Sequence, residues 1–465
     1  MTDNISNITT TTSDTSANVM VPPVATVQQG AMVYTRICQV SMEYQYINQF
    51  TENVQVWLSL PPELPTQQSI QIYDMTPEPI SVQYDGNGIN RLAFFTLAPG
   101  EELRFQLNAQ LHRATYDPRA ESAAIVLDAE DQARYLRSSP MIQVTDAVRA
   151  EAQRIVGDAT TQLEQSRRLY LHVIKNYRYK WPPKARGSEA MRVNRHGDCG
   201  EYSWVYAALC RSLGIPCRVM VGSWAYGQLS AHVWNEVFIE GIGWMPLDTS
   251  FHRTLLYIPP LADLDWVLQR IGHCFGRITP ERLVFSIDPD VPLVPAYTEQ
   301  RAPASYERYQ LGGQQLAWGF ESLAGAAPYL QPIYVQLSER ERPRALSGKL
   351  LSKLPTALTV LFVGSKQVQQ LLGRWRITPS PQHRLSAWLG WGGIFLSVFF
   401  SLFLPLIISM FGTEIHIPSF SLLSSLITIF FFQHIIRING IRWWLLLLMF
   451  PAILDLARTV WSLIA

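Results

Sequence analysis

Residues 197–250 read GDCGEYSWVYAALCRSLGIPCRVMVGSWAYGQLSAHVWNEVFIEGIGWMPLDTS, and this stretch decides how the rest of the chain is understood. It places Cys199 at the head of a helical run, His232 at the start of a strand and Asp248 at the end of the next strand. Within EYSWVYAALCRSL, Trp204, Ala207, Ala208 and Leu213 recur at helical spacing, and Gly214 before Ile215-Pro216 closes the helix. Cys199 therefore sits at a helix N-terminus. There, unpaired N–H groups and the positive end of the macrodipole are expected to favour thiolate over thiol, and the cysteine's own N–H can donate to an oxyanion.

Whether His232 and Asp248 can meet is a question of strand parity. A two-residue loop with Glu240 and Gly243 facing each other would put the two side chains on opposite faces. A three-residue loop pairing Ile239 with Gly243 sets Asp248 opposite Trp234 and makes His232 its diagonal neighbour on the same face, roughly 7–8 Å away. The sequence thus predicts an odd loop or a bulge, which Gly241 would suit. In that arrangement Cys199 is a nucleophile for an amide or ester carbonyl. His232 takes the thiol proton and returns it to the leaving group, and Asp248 fixes the imidazole. A second oxyanion donor is not fixed by spacing; Tyr179, Trp181 and Asn194 are the candidates.

Through GDC, LGIPCRV, HVWNEV and GWMPLD the chain resembles the transglutaminase-like superfamily, of the bacterial type, over about residues 120–290. Cys199, His232 and Asp248 each match that family's catalytic motif. The resemblance implies a papain-like α+β core with the nucleophile's helix on an antiparallel sheet, and acyl transfer through a thioester. It also implies that the preceding β region is the sandwich often placed ahead of such cores. Arylamine acetyltransferases share a G-x-C-x-E flavour near their cysteine, but LGIPCRV and GWMPLD fit the transglutaminase pattern better.

Outward from the centre, the chain reads as multi-domain: an all-β sandwich, the α+β core, then transmembrane α-helices. Residues 1–29 are a polar Thr/Ser/Asn-rich tail expected to be disordered. Residues 30–119 alternate apolar and polar at 38–46, 54–60 and 103–111, which predicts the sandwich, with Cys38 packed inside it. Residues 120–295 form the expected catalytic domain, with helices over 146–156 and 160–177 and a strand over 282–287 completing its sheet. Leu163, Ser166, Leu169, Tyr170, Val173 and Ile174 share one face of the second helix. Residues 296–385 read as a linker or irregular extension ending in a basic segment. Residues 386–465 hold about three membrane spans, the first within 29 residues free of formal charge between Arg384 and Glu414. Asp455 and Arg458 lie within the last span, where they would pair with each other.

Seven Lys/Arg and no acid between Arg344 and Arg384, with no apolar leader at the N-terminus, predict an integral membrane protein whose catalytic domain faces the cytoplasm. A charged fraction of 16% and a net charge of +1 give no footprint for nucleic acid. Five cysteines without a C-x-x-C spacing disfavour a disulfide framework and a zinc ribbon, and Cys210 and Cys217 read as core thiols. His196 and His273-Cys274 lack further ligands, so no metal or cofactor is expected. The expected partners are a protein or peptide substrate and a lipid bilayer; the oligomeric state is not legible. The expected activity is hydrolytic cleavage of amide bonds. A crosslinking acyl transferase and a non-catalytic docking module are the alternatives.

Overall fold

The computed structural model describes residues 26–48, 51, 53–120, 125–180, 186–225, 231–250, 274–278 and 282–296, with four short strands beyond them. The chain opens with β1 (Thr26–Gln29) and β2 (Met32–Ile47), a hairpin turning at Gly30. Thr26–Gln29 therefore belongs to a sheet and not to the expected disordered tail, because pairing with β2 satisfies its backbone. β3 (Val54–Leu60), β4 (Gln67–Thr76), β5 (Ser81–Tyr84), β6 (Arg91–Leu97) and β7 (Glu102–Tyr116) follow. β1, β2, β7 and β4 build one antiparallel sheet, and β3, β6 and β5 a second. Alternate residues of β2 and β7, among them Met42, Tyr44, Phe105 and Leu107, share one apolar cluster with Val54, Val56, Leu58, Ala93 and Phe95. The period-two pattern in the sequence is this cluster seen one strand at a time.

The helical part comprises α1 (Ala129–Leu136), α2 (Asp146–Val156) and α3 (Gln162–Asn176), then β8 (Arg178–Tyr179), α4 (Ser188–Asn194), β9 (His196–Gly197) and α5 (Cys199–Ser212). Thr145 and Thr161 start α2 and α3 by accepting from Val148 N and Glu164 N. The buried face of α3 is Ser166, Leu169, Tyr170, Val173 and Ile174, as its spacing predicts, with Leu163 partly buried against the same core. α1 and α4 were not legible in the sequence: α1 buries only Tyr135, and seven residues of α4 are too few to show a period. α5 is buried on every side beyond its first residue. Each fully buried large side chain there, such as Trp204 or Leu209, stabilises the fold by roughly 1.5–3 kcal/mol.

β10 (Cys217–Trp224), β11 (Ala231–Ile239), β12 (Gly243–Leu247), β13 (Arg277–Ile278) and β14 (Arg282–Ile287) complete the α+β core. Its antiparallel sheet runs β12-β11-β10-β14, so the strand over 282–287 closes the sheet as expected. The outer edge of β14 is gripped by side chains from the N-terminal strands. Gln67 donates to Val284 O at 3.0 Å and accepts from Val284 N at 2.7 Å. Asn90 does the same to Ile287 O and N at 3.0 and 2.7 Å, and Ser59 Oγ donates to Phe285 O at 2.7 Å. Leu283 and Phe285 also enter the apolar cluster between the two N-terminal sheets, while β13 pairs with β7. The two parts of the chain therefore share both a core and hydrogen bonds.

Within the expected linker, β15 (Arg308–Leu311) and β16 (Gln314–Ala317) pair with each other, and β17 (Ile333–Gln336) pairs with β3. β18 (Arg374–Ile377), in the basic segment, pairs with β2. Four residues apiece are too short to announce a strand by alternation. Among the described residues no helix is long and apolar enough to cross a membrane. The spans expected over 386–465, the Asp455 and Arg458 pair, and residues 1–25 lie outside the described residues.

The grip on β14 is testable. Gln67→Leu strands two buried backbone groups and is expected to lower stability by about 1–3 kcal/mol, and Asn90→Leu by a similar amount. Urea unfolding of the purified chain followed by tryptophan fluorescence checks this; a grip without energetic weight would leave both midpoints unchanged.

Candidate active site

Asp198 caps α5: its side chain accepts from Gly200 N at 2.8 Å, and Glu201 reaches back to accept from Asp198 N at 3.0 Å. Both carboxyls meet Arg186, whose Nη1 lies 2.6 Å from Asp198 Oδ2 and 3.0 Å from Glu201 Oε2, and all three side chains are buried. Gly197 must be glycine here, since an added Cβ would lie 2.4 Å from Glu201 Cβ. The approach to the helix is fixed by the parallel β8–β9 pair and by Lys180 N donating to Gly197 O at 2.7 Å. Asn235 Nδ2 donates to Ser203 O at 3.0 Å and holds the helix against β11.

Cys199 is the first residue of α5 and is half-buried. Burial pushes its thiol well above the ordinary range, and the nearby charge of Asp198 adds to that push. A hydrogen bond from Val233 N–H to the sulfur acts the other way, and Asp248 and Glu201 raise it further. This reverses the expectation that the helix N-terminus alone favours thiolate. The dipole is worth about half a unit charge, and burial of the sulfur outweighs it.

The β11–β12 register brings Asp248 to His232. Ile239 pairs with Gly243, Val237 with Met245 and Asn235 with Leu247, so Glu240, Gly241 and Ile242 form the expected three-residue loop. Gly241 and Gly243 take φ of 77° and 94°, which L side chains avoid. Asp248 then falls opposite Trp234, and its Oδ2 lies 2.7 Å from His232 Nε2. Just past the last β11–β12 pair, Val233 N–H reaches Cys199.

Asp248 is buried and fully engaged. Ser250 N and Oγ donate to Oδ1 at 3.0 and 3.2 Å, and Arg282 Nη1 forms an ion pair with Oδ2 at 2.8 Å. Burial pushes this carboxyl up, but the charges of His232 and Arg282 and the hydrogen bonds outweigh it and hold Asp248 below the usual carboxylate range. The imidazole stacks near-parallel on Trp224 at 4.8 Å and on Trp234 at 6.0 Å between ring centroids. Arg282 went unnoticed in the sequence. Its signal was an arginine heading the strand RLVFSI, apolar beyond it except for Ser286.

With this geometry in hand, comparison with known families is direct: residues 149–249 match the model described as the transglutaminase-like superfamily. These residues form a transglutaminase-like domain. Among solved structures, the chain is similar to a candidate cysteine protease from Cytophaga hutchinsonii, at 15% identity and TM-score 0.41, over 55% of this chain and 83% of that one. It is also similar to the periplasmic domain of TgpA from Pseudomonas aeruginosa, at 16% identity and TM-score 0.29, over 50% of this chain and 92% of that one. No curated protein sequence matches the chain.

Around the transglutaminase-like site, Tyr179 pairs in register with Gly197 and stacks on Tyr202 at 6.3 Å. Asn194 ends α4 and is exposed, and Trp181 lies outside the described residues. Cys210 and Cys217 are buried core thiols. Cys274 is half-buried beside the site; its carbonyl accepts from Asp248 N at 3.2 Å, and burial and the Asp248 charge push its thiol up to about 12. The backbone of Cys38 lies in β2, and its side chain is outside the described set, as is His273. Among the described residues no three His, Cys, Asp or Glu side chains are grouped to hold a metal ion.

Because its carboxyl is held low in the folded state, Asp248 contributes stability that is present above the ordinary carboxylate value of about 3.9 and is lost as pH falls through its lower folded value. Asp248→Asn, which leaves Arg282 buried opposite a neutral group, is expected to cost roughly 3–5 kcal/mol at pH 7. The gap to the wild type should narrow steadily below pH of about 4. Thermal melts of both proteins across pH check this; a gap independent of pH would contradict it.

Proposed function

We propose that the transglutaminase-like domain is a cysteine-nucleophile acyl-transfer enzyme that hydrolyses amide bonds in proteins or peptides, with Cys199, His232 and Asp248 as its catalytic residues. The observation that carries this reading is the 2.7 Å contact between His232 Nε2 and Asp248 Oδ2, in the register that parity demands. With Nε2 bonded to Asp248, Nδ1 is the nitrogen proposed to exchange protons. Cys199 Sγ attacks the carbonyl carbon while its proton passes to Nδ1. The oxyanion is met by the backbone N–H at the start of α5, and Tyr179, held beside Gly197, remains the better placed of the described side-chain candidates. Nδ1 then protonates the leaving amine as the C–N bond breaks, which leaves a thioester. Water attacks the thioester, gives a proton to Nδ1 and releases the acid, and the proton returns to sulfur.

A neutral thiol suits this sequence, because the base is used in each half-reaction and no thiolate is exposed between turnovers. The two N-terminal sheets act as a β-sandwich that carries the edge strand of the catalytic sheet. Residues 386–465 anchor the enzyme in a bilayer; the charge-free run before Glu414 supports this, and the basic segment before it supports a cytoplasmic face.

Incubating the purified chain with a labelled glutamine-containing peptide, with and without a primary amine, tests the reaction. Free acid should form in both cases; Cys199→Ala and His232→Ala should abolish it, and Asp248→Asn should lower kcat by roughly 10²–10⁴. Turnover by Cys199→Ala equal to the wild type would sink the assignment, and product formed solely with the amine would make the enzyme a crosslinker. Protease added to intact cells should leave the catalytic domain uncut, and cleavage there would place it on the opposite face.

A further inference from the structure

Asp248 Oδ2 meets two side chains at once, with His232 Nε2 at 2.7 Å and Arg282 Nη1 at 2.8 Å. Arg282 is no surface charge: it is 6% exposed and pairs with Trp224 in the β10–β14 register. Its guanidinium lies 4.3 Å over the Trp224 ring and 5.2 Å over that of Trp234, the same two indoles that stack on the imidazole. The geometry points to Arg282 as a positioning residue for the proposed reaction, one that holds Asp248 and the two indoles around His232 and weakens the carboxylate's grip on an imidazolium. This rests on the Cys199–His232 reading given above.

The physical case is one of competition. A buried carboxylate facing an imidazole alone stabilises the imidazolium strongly, and a ring that already carries its proton cannot accept the thiol's. A guanidinium stays charged at every working pH, so a second cation on the same oxygen is a fixed counterweight. The other groups around the site do not supply it. Tyr170 and Cys274 face Asp248, and burial pushes both up, so both stay neutral. Arg277 acts on Cys274, and on the nucleophile's side Asp198 and Glu201 are paired with Arg186. On the same strands Arg218 is paired with Glu236. Stacking adds placement to charge, since a flat cation over Trp224 and Trp234 keeps both indoles against the ring.

Because the substrate is unidentified, iodoacetamide is the probe. Its alkylation of Cys199 forms an S–C bond and expels iodide while the thiol proton leaves, so the rate follows the base without any substrate. The rate, read by peptide mass spectrometry on the full chain between pH 4 and 10, should show an acid limb in the wild type that His232→Ala lacks. Arg282→Met should move that limb to higher pH by about one unit, roughly a tenfold slower rate on the limb. Arg282→Gln, neutral but able to donate to Asp248, should move it the same way and serves if the methionine variant does not fold. Arg282→Lys, which keeps the charge, should leave it near the wild-type position. A limb unmoved in the neutral variants, or moved as far by lysine, overturns the role of Arg282. A His232→Ala profile identical to wild type instead overturns the cysteine–histidine reading itself.

Discussion

Strand alternation is the constraint on which the site depends. One residue more or fewer between Ile239 and Gly243 would turn Asp248 to the other face of β12 and part it from His232. The loop is therefore held in several ways. Gly241 and Gly243 provide the left-handed backbone that three residues need, and Ile242 N donates to Ile239 O at 3.0 Å. From the N-terminal hairpin, Gly30 presses against the loop so closely that a Cβ there would lie 2.6 Å from Ile242 O. A turn one strand away from Asp248 is thus fixed by the first hairpin of the chain. A slip of register would have to break that contact as well as the ladder.

The electrostatics at Cys199 show a second constraint, in which helix capping and the acidity of the thiol oppose each other. A helix buried on all sides needs its N-terminal N–H groups satisfied, and Asp198 with Glu201 does this. The same carboxyls stand beside Cys199 and raise its thiol. Arg186 offsets part of the burial cost of the two acids, yet one cation against two carboxyls leaves Glu201 shifted upward, with burial as the leading cause. The helix is therefore well begun at the cost of a less acidic cysteine. The parity of the hairpin then sets His232 against Asp248, on the strand that carries Val233.

Much of this was legible because it is local. The order of Cys199, His232 and Asp248, the three-residue loop and the faces of α3 follow from alternation and helical spacing within short windows. What was not legible is long-range. Arg186 and Arg282 lie 12 and 34 residues from the acids they pair with, Asp198 and Asp248, and nothing in their own neighbourhoods marks them. Gln67 and Asn90 carry no mark in the sequence, because a buried amide that clamps a backbone 217 or 197 residues away leaves no periodic trace. The thiol's direction was misjudged for the same reason. The dipole is visible in sequence, whereas desolvation and the folded positions of three acids are not.

The two constraints meet in β14. Its first residue is Arg282, on the Asp248 carboxylate, and its next residues, Leu283 and Phe285, are buried between the N-terminal sheets. The register of β14 shifts between Val221 and Gly222, and the close pass there demands glycine, since a Cβ on Gly222 would lie 2.1 Å from Leu283 O. A strand with an irregular ladder on one side needs its other side held, and Gln67, Asn90 and Ser59 hold it. The N-terminal sheets are then more than a neighbouring module. By fixing β14 they fix the arginine at its head, and through that arginine the charge felt by His232.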